Sequence, residues 1–276
     1  MKIQYFVMSA LVMFAAGSAH AGPGSTGGGD GIGSPEELVV QTLEDSKLEL
    51  GVFIHSASLY ADSALNPANV NHARVKAVLQ SWLKKERGLE ALISDIDHST
   101  YNIQPQACPS QIDHHHDAST LFHRDAPICF STKLLSRFPK WVLQAELLSL
   151  AAHEHAHHFG YSEDDATAVQ NYIFATYGFL TIQEKLRSFY NSDLQNYRSR
   201  INTGYSPAGS PAAVAFAEMI CRDYFVIEGL AIAYGLNQFQ YDARQRLACD
   251  ATKFNPDALE SKLNLIEAYT VSDFNK

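Results

Sequence analysis

His153-Glu154-His155-Ala156-His157 is the stretch of this chain whose residue types and spacing could do chemistry. On a helix, residues four apart sit about 40° from one another round the axis and about 6 Å along it, so His153 and His157 project from one face. Two imidazoles so placed can chelate one metal ion. Glu154 lies about 100° further round, where its carboxylate can reach a water on that ion without being a ligand itself. H-E-x-x-H is the pattern of zinc-assisted hydrolysis. Zinc keeps three protein ligands and a position for water, lowers that water's pKa toward about 7, and a neighbouring glutamate takes the proton as the water attacks a carbonyl. Two histidines leave the set one ligand short.

The third ligand is expected just beyond Gly160, which supplies the left-handed turn that ends the helix. Ser162-Glu163-Asp164-Asp165 then opens another helix, with Ser162 as N-cap and Asp165 at its N3 position. All three acids would also balance the helix dipole. Glu163, six residues after His157 with the chain reversed between them, is the favoured ligand, while Asp164, Asp165 or a residue further along stay open. His155 lies about 200° from His153 and is expected in the core or at the surface rather than on the metal. His158 suits a helix C-terminus, where a cationic ring favours the dipole.

With these residues in view, the stretch resembles the zincin metallopeptidases. His153-Glu154-x-x-His157-x-x-Gly160-x-x-Glu163 has metzincin-like spacing at every position but the last, where that family carries His or Asp. A glutamate third ligand is more similar to the gluzincins, whose usual gap is longer. No methionine turn stands out, because Met219 sits in a helical pattern. The resemblance covers about 25–40 residues and rests on a short motif. It implies an α+β, zincin-like fold: a small upper sheet with the active-site helix, and a mainly helical lower subdomain after Gly160. It also implies that Ile128 to Thr132 is an edge strand able to pair with an extended substrate. The activity implied is that of a zinc metallopeptidase. His153, His157 and Glu163 would hold Zn2+, and Glu154 would be general base and then proton donor to the leaving amine. Zincins often steady the oxyanion with a tyrosine, histidine or arginine, and Tyr161 and Tyr205 are the loop candidates. Two other readings stand beside this one: a non-catalytic zinc carrier or scaffold, and a zinc amidase acting on cell-wall peptide.

The elements that must position these groups are mostly helical by pattern. Ser34-Pro35-Glu36-Glu37 reads as a capped helix start, and apolar residues at spacings of three and four predict a second helix from about Val70 to Ile96. Lys84 to Arg87 would be its wet face. From His98 to Arg124 turn formers accumulate and a loop is expected, with His114-His115-His116 more suited to solvent than to one metal ion, since consecutive rings diverge. Ile128 to Thr132 reads as a strand. The motif helix should run from Pro139–Trp141 to His158, followed by helices over about 166–187, 193–201, 212–234 and 256–269.

Composition sets the address. Lys2, an apolar run from Phe6 to Gly17 and Ala19-His20-Ala21 have the form of a cleavable signal peptide over residues 1–21, and residues 22–33 form a glycine-rich linker. Residues 34–276 are then expected to be one metallopeptidase domain, with an upper subdomain to about 160 and a lower one from about 161. The expected location is secreted or periplasmic, and no stretch is long enough for a membrane span of about 20 residues. A net charge of −9 without a basic stripe is poorly suited to nucleic acid. The expected partner is a protein or peptide substrate, and oligomeric state is left open. The four cysteines are an even set in an exported chain, which favours two disulfides, Cys108 with Cys129 and Cys221 with Cys249.

Overall fold

The computed structural model describes residues 34–66, 68–84, 88–109, 117–204, 209–234, 249 and 254–267. The expected signal segment and linker, the His114–His116 loop and Tyr205 lie outside the described residues. Those described are mostly helical, with one three-stranded sheet, an α+β composition in the coarse sense. The chain divides into two compact units, residues 1–174 and 175–276.

In the first unit, helix α1 (Pro35–Ala64) starts on a reciprocal cap. The Ser34 hydroxyl accepts the Glu37 N–H at 3.2 Å, and the Glu37 carboxylate accepts the Ser34 N–H at 2.8 Å. Val39, Leu43, Leu50, Ile54, Ala57 and Ala61 bury one face of it. Helices α2 (Val70–Lys84) and α3 (Gly88–His98) replace the single helix expected over 70–96. The close approach at Gly88 explains the break: a Cβ there would lie 2.4 Å from the Trp82 carbonyl oxygen, so the chain can fold back on the end of α2 only with glycine at this point.

The region expected as loop contains two strands, β1 (Tyr101–Gln104) and β2 (Ala118–Ser119). They are too short for a period-two pattern to stand out among prolines and acids. Strand β3 (Ile128–Ser131) lies between them, parallel to β1 and antiparallel to β2. This corrects the edge-strand expectation. β3 is the centre of the sheet, with Ile128 and Phe130 fully buried, and its backbone is already paired on both sides. Thr132 belongs to the next element, α4 (Thr132–Leu135), capped by the Ser131 hydroxyl.

Helix α5 (Lys140–His158) begins at Pro139 and packs most extensively on α1, with α3 and β2 on other sides. All of Ala151 to His158 is buried in consequence. Helix α6 (Glu163–Ser188) starts in this unit, where Tyr172 donates a hydrogen bond to the Ala57 carbonyl at 2.7 Å.

In the second unit the rest of α6 continues through a π-helical turn (Phe189–Leu194) into α7 (Gln195–Asn202), without the break expected near 190. Helix α8 (Pro211–Ala233) is capped by Ser210 and holds Met219 in its interior; α9 (Pro256–Glu267) is tied to α7 through Arg198, 2.5 Å from Asp257 and 2.6 Å from Glu260. Gly178 of α6 lies under the Tyr234 ring, where a Cβ would come within 2.4 Å. The disulfides are Cys108–Cys129 and Cys221–Cys249, the nearest-neighbour pairing, one in each unit. No helix among the described residues is long and apolar enough to cross a membrane.

Candidate metal centre

A helix end buried all round is an expensive place for five ionisable side chains, because each polar group taken from water needs a partner. His153, Glu154, His155, His157 and His158 are all buried. At 100° per residue, His153 and His157 share one side of α5, and the pair His155 and His158 is centred about 150° round from them. Each pair has its own acid.

On the front side that acid is Glu163. Its Oε2 lies 3.1 Å from His157 Nε2, its Oε1 lies 3.4 Å from His153 Nε2, and the two Nε2 atoms are 3.1 Å apart. Ligands held tetrahedrally about 2.0–2.1 Å from one zinc ion stand about 3.3 Å from each other. The donor set and its spacing fit a small divalent cation, and these three residues form one of two groups among the described residues able to hold a metal ion. The imidazoles are buried, while the Glu163 side chain is 73% exposed, so the centre opens on its carboxylate side.

Local structure fixes the directions of the ligands. Gly160, at φ 79°, ends α5 in a Schellman turn: its N–H bonds the His157 carbonyl at 2.9 Å and the Tyr161 N–H bonds the Ala156 carbonyl at 3.2 Å. The reversed chain brings the Tyr161 carbonyl to 3.1 Å from His157 Nδ1, which donates to it and leaves Nε2 free to face Glu163. Ser162 caps α6, its hydroxyl accepting the Asp165 N–H at 3.3 Å. Of the alternative ligands, Asp164 binds Arg74 at 2.8 Å, and Asp165 accepts the Ser162 hydroxyl at 2.6 Å with Arg74 at 3.7 Å. Glu163 alone of the three acids turns to the histidines.

Among the described residues Nδ1 of His153 has no hydrogen-bond partner, although the Gln170 side chain stands near enough to favour the protonated ring. Burial lowers the His153 pKa to about 4, with the Glu163 charge opposing and His157 adding to the effect. A neutral ring is the form that binds metal. Burial also pushes Glu154 up to about 8, and the negative charge of Glu163 pushes the same way. A divalent cation beside these acids would pull Glu154 back toward the carboxylate. Phe122, 64% exposed, lays its ring 4.5 Å from that of His157.

On the rear side the acid is Asp95 of α3, which carries the second such group with His155 and His158. Its Oδ2 lies 2.6 Å from His155 Nδ1 and 2.8 Å from His158 Nδ1. Burial alone would raise its pKa, but hydrogen bonds from the two rings and from the Asp125 N–H outweigh burial and hold it well below the usual carboxylate range. His155 is thus a core residue, and His158 is a buried partner of Asp95. Sequence reasoning missed Asp95. Its signal was an acid at a core-facing position, since Leu92, Asp95 and Ile96 follow helical spacing and all three are buried. Comparison with protein-family models, with curated proteins and with solved structures found nothing that matches this chain.

Proposed function

We propose that this protein is an exported zinc-dependent metallopeptidase of zincin type, with Zn2+ on His153, His157 and Glu163. The reading is carried by one observation: three ligand side chains, with facing atoms 3.1–3.4 Å apart, converge at the end of a buried helix that also holds Glu154. Zinc bound there would supply Lewis acidity, polarising a carbonyl and lowering the pKa of water. Glu154 takes a proton from the attacking water and delivers it to the leaving amine. Its low exposure suits a group that must hold a proton between those two steps. His157 is kept in the ligating tautomer by Tyr161, and the exposed side chain of Glu163 leaves the centre open to solvent on that side. The amino-terminal pattern and two disulfides support a secreted or periplasmic location.

A carrier or scaffold has no use for Glu154, whose side chain makes no hydrogen bond to another described residue and still occupies the buried end of the helix. Amide hydrolysis in cell-wall peptide would use the same groups. Substituting Glu154→Gln tests the reading: zinc stays bound at one equivalent, and peptide hydrolysis falls about 10²–10⁴-fold, the contribution of a general acid–base group. Full activity in that variant would refute the assignment.

A further inference from the structure

The rear cluster of α5 is a closed network. Asp95 Oδ2 accepts from both Nδ1 atoms, and Asp95 Oδ1 accepts the Asp125 backbone N–H at 2.8 Å. On the outer sides of the rings, His155 Nε2 faces the Tyr101 hydroxyl at 3.2 Å and His158 Nε2 faces the Thr120 hydroxyl at 2.8 Å. The three central side chains are wholly shielded from solvent. One carboxylate therefore ties together α3, α5, β1 and the segment that follows β2.

Two features argue that this is an anchor and not a second metal site. Every ring nitrogen and both carboxylate oxygens already have partners. The separations of 2.6 and 2.8 Å are those of charge-assisted hydrogen bonds, shorter than the about 3.3 Å between ligands of one ion. The front cluster, at 3.1–3.4 Å, has the wider spacing.

We infer that Asp95 is a positioning residue for the metal centre, fixing the rotation of α5 about its axis through His155 and His158. The leverage is geometric. A ring nitrogen lies about 6 Å from the helix axis, so a rotation of about 10° displaces it by about 1 Å. A preorganised site tolerates about 0.5 Å. Asp95 acts on the front by a second route as well. The Asp125 N–H that it binds belongs to a turn with Asp125 at φ 58°, and the same turn carries Phe122 onto the His157 ring. The Asp95 carboxylate thus sets both α5 and the aromatic ring that packs on one of its ligands.

The functional meaning of this anchor rests on the proposed metal centre, so the test has one part with metal and one without. With metal, Asp95→Asn and Asp95→Ala should weaken zinc binding about tenfold or more by chelator competition, and change the visible absorption of the cobalt-substituted protein. Val39→Ala, a core truncation in α1, should lower thermal stability and leave zinc affinity alone. His158→Asn, whose amide nitrogen can take the place of Nδ1, should retain most of the affinity that His158→Leu loses. Tyr101→Phe removes one hydroxyl without opening a cavity and should give a smaller loss in the same direction. Wild-type affinity in the Asp95 variants would overturn the inference. So would a second equivalent of zinc in the native protein that disappears in Asp95→Ala.

Without metal, nitrogen NMR of the native chain should find protons on Nδ1 of both His155 and His158, slow to exchange. The His157 ring signal, shifted by Phe122, should move in Asp95→Asn. Rings protonated only on Nε2, or an unmoved His157 signal, would overturn the anchor whether or not zinc binds. A chain that passes these measurements but takes up no zinc would refute the metallopeptidase reading and keep the anchor.

Discussion

The Glu163 carboxylate makes a candidate metal centre out of a pair of adjacent histidines, and its two neighbours provide internal controls. Asp164 and Asp165 share its charge and helix turn but are bound by Arg74 and Ser162, whereas Glu163 meets both Nε2 atoms. Glu163→Ala should therefore weaken zinc binding by about 100-fold or more, beyond what loss of an outer-shell partner costs. Asp164→Ala should change it little. Isothermal titration of both variants checks this, and equal losses would show that the acids act through bulk charge. The motif residues were legible because helical spacing alone places His153 and His157 together. The choice among the three acids was legible only in part, since the chain reversal at Gly160 favoured Glu163 but left Asp164 and Asp165 open. It depends on where Arg74, some ninety residues away in sequence, places its guanidinium. Asp95 was hidden for the same reason, since its partners His155 and His158 lie on another helix.

Helix α5 positions both clusters, and two predictions concern it. Gly160 ends the helix at φ 79°, and a Cβ there would meet nothing within 4 Å. Gly160→Ala should thus cost only backbone strain, roughly 1 kcal/mol, and lower the melting temperature by about 2–4 °C. Further along, Glu146 is pushed up to about 7 by burial and then by the negative charge of Asp117. A carboxyl whose folded pKa is raised contributes stability that is fully present below its unfolded value of 4.5 and is lost as pH rises through about 7. Glu146→Gln cannot ionise. It should match the native protein near pH 4.5 and exceed it by about 1–2 kcal/mol at pH 8, after allowance for partial exposure. Denaturant melts at the two pH values decide the matter, and a constant difference would rule out Glu146 as its source. At this scale the sequence read well where elements were long. Its periodicity placed α5 to within a residue or two. It did not place the α2–α3 break, because the close approach of Gly88 to the Trp82 carbonyl is a tertiary event. Nor did it place β1 and β2, the strands that flank β3 and remove it from the edge position the zincin resemblance implied.

Across the whole molecule the two disulfides divide the labour by unit, and this separates stability from metal binding. Cys108–Cys129 spans 21 residues and Cys221–Cys249 spans 28, so on loop closure alone each should contribute about 3 kcal/mol. Their connections differ. Cys129 lies on the central strand opposite Ser119 of β2, and the next residue, Thr120, faces His158 across 2.8 Å. Loss of that bridge loosens a strand that supports the Asp95 anchor behind the metal cluster. Cys221 lies on α8, in the unit that holds none of the candidate metal ligands His153, His157 and Glu163. The double variant Cys108→Ser/Cys129→Ser should therefore lose both stability and zinc affinity. Cys221→Ser/Cys249→Ser should lose comparable stability and keep its zinc affinity. Guanidinium unfolding paired with chelator competition reads both quantities on the same samples. If the second variant lost zinc as readily as the first, the site would depend on the stability of the chain as a whole. A weakened site in the first variant alone would place its support in the sheet.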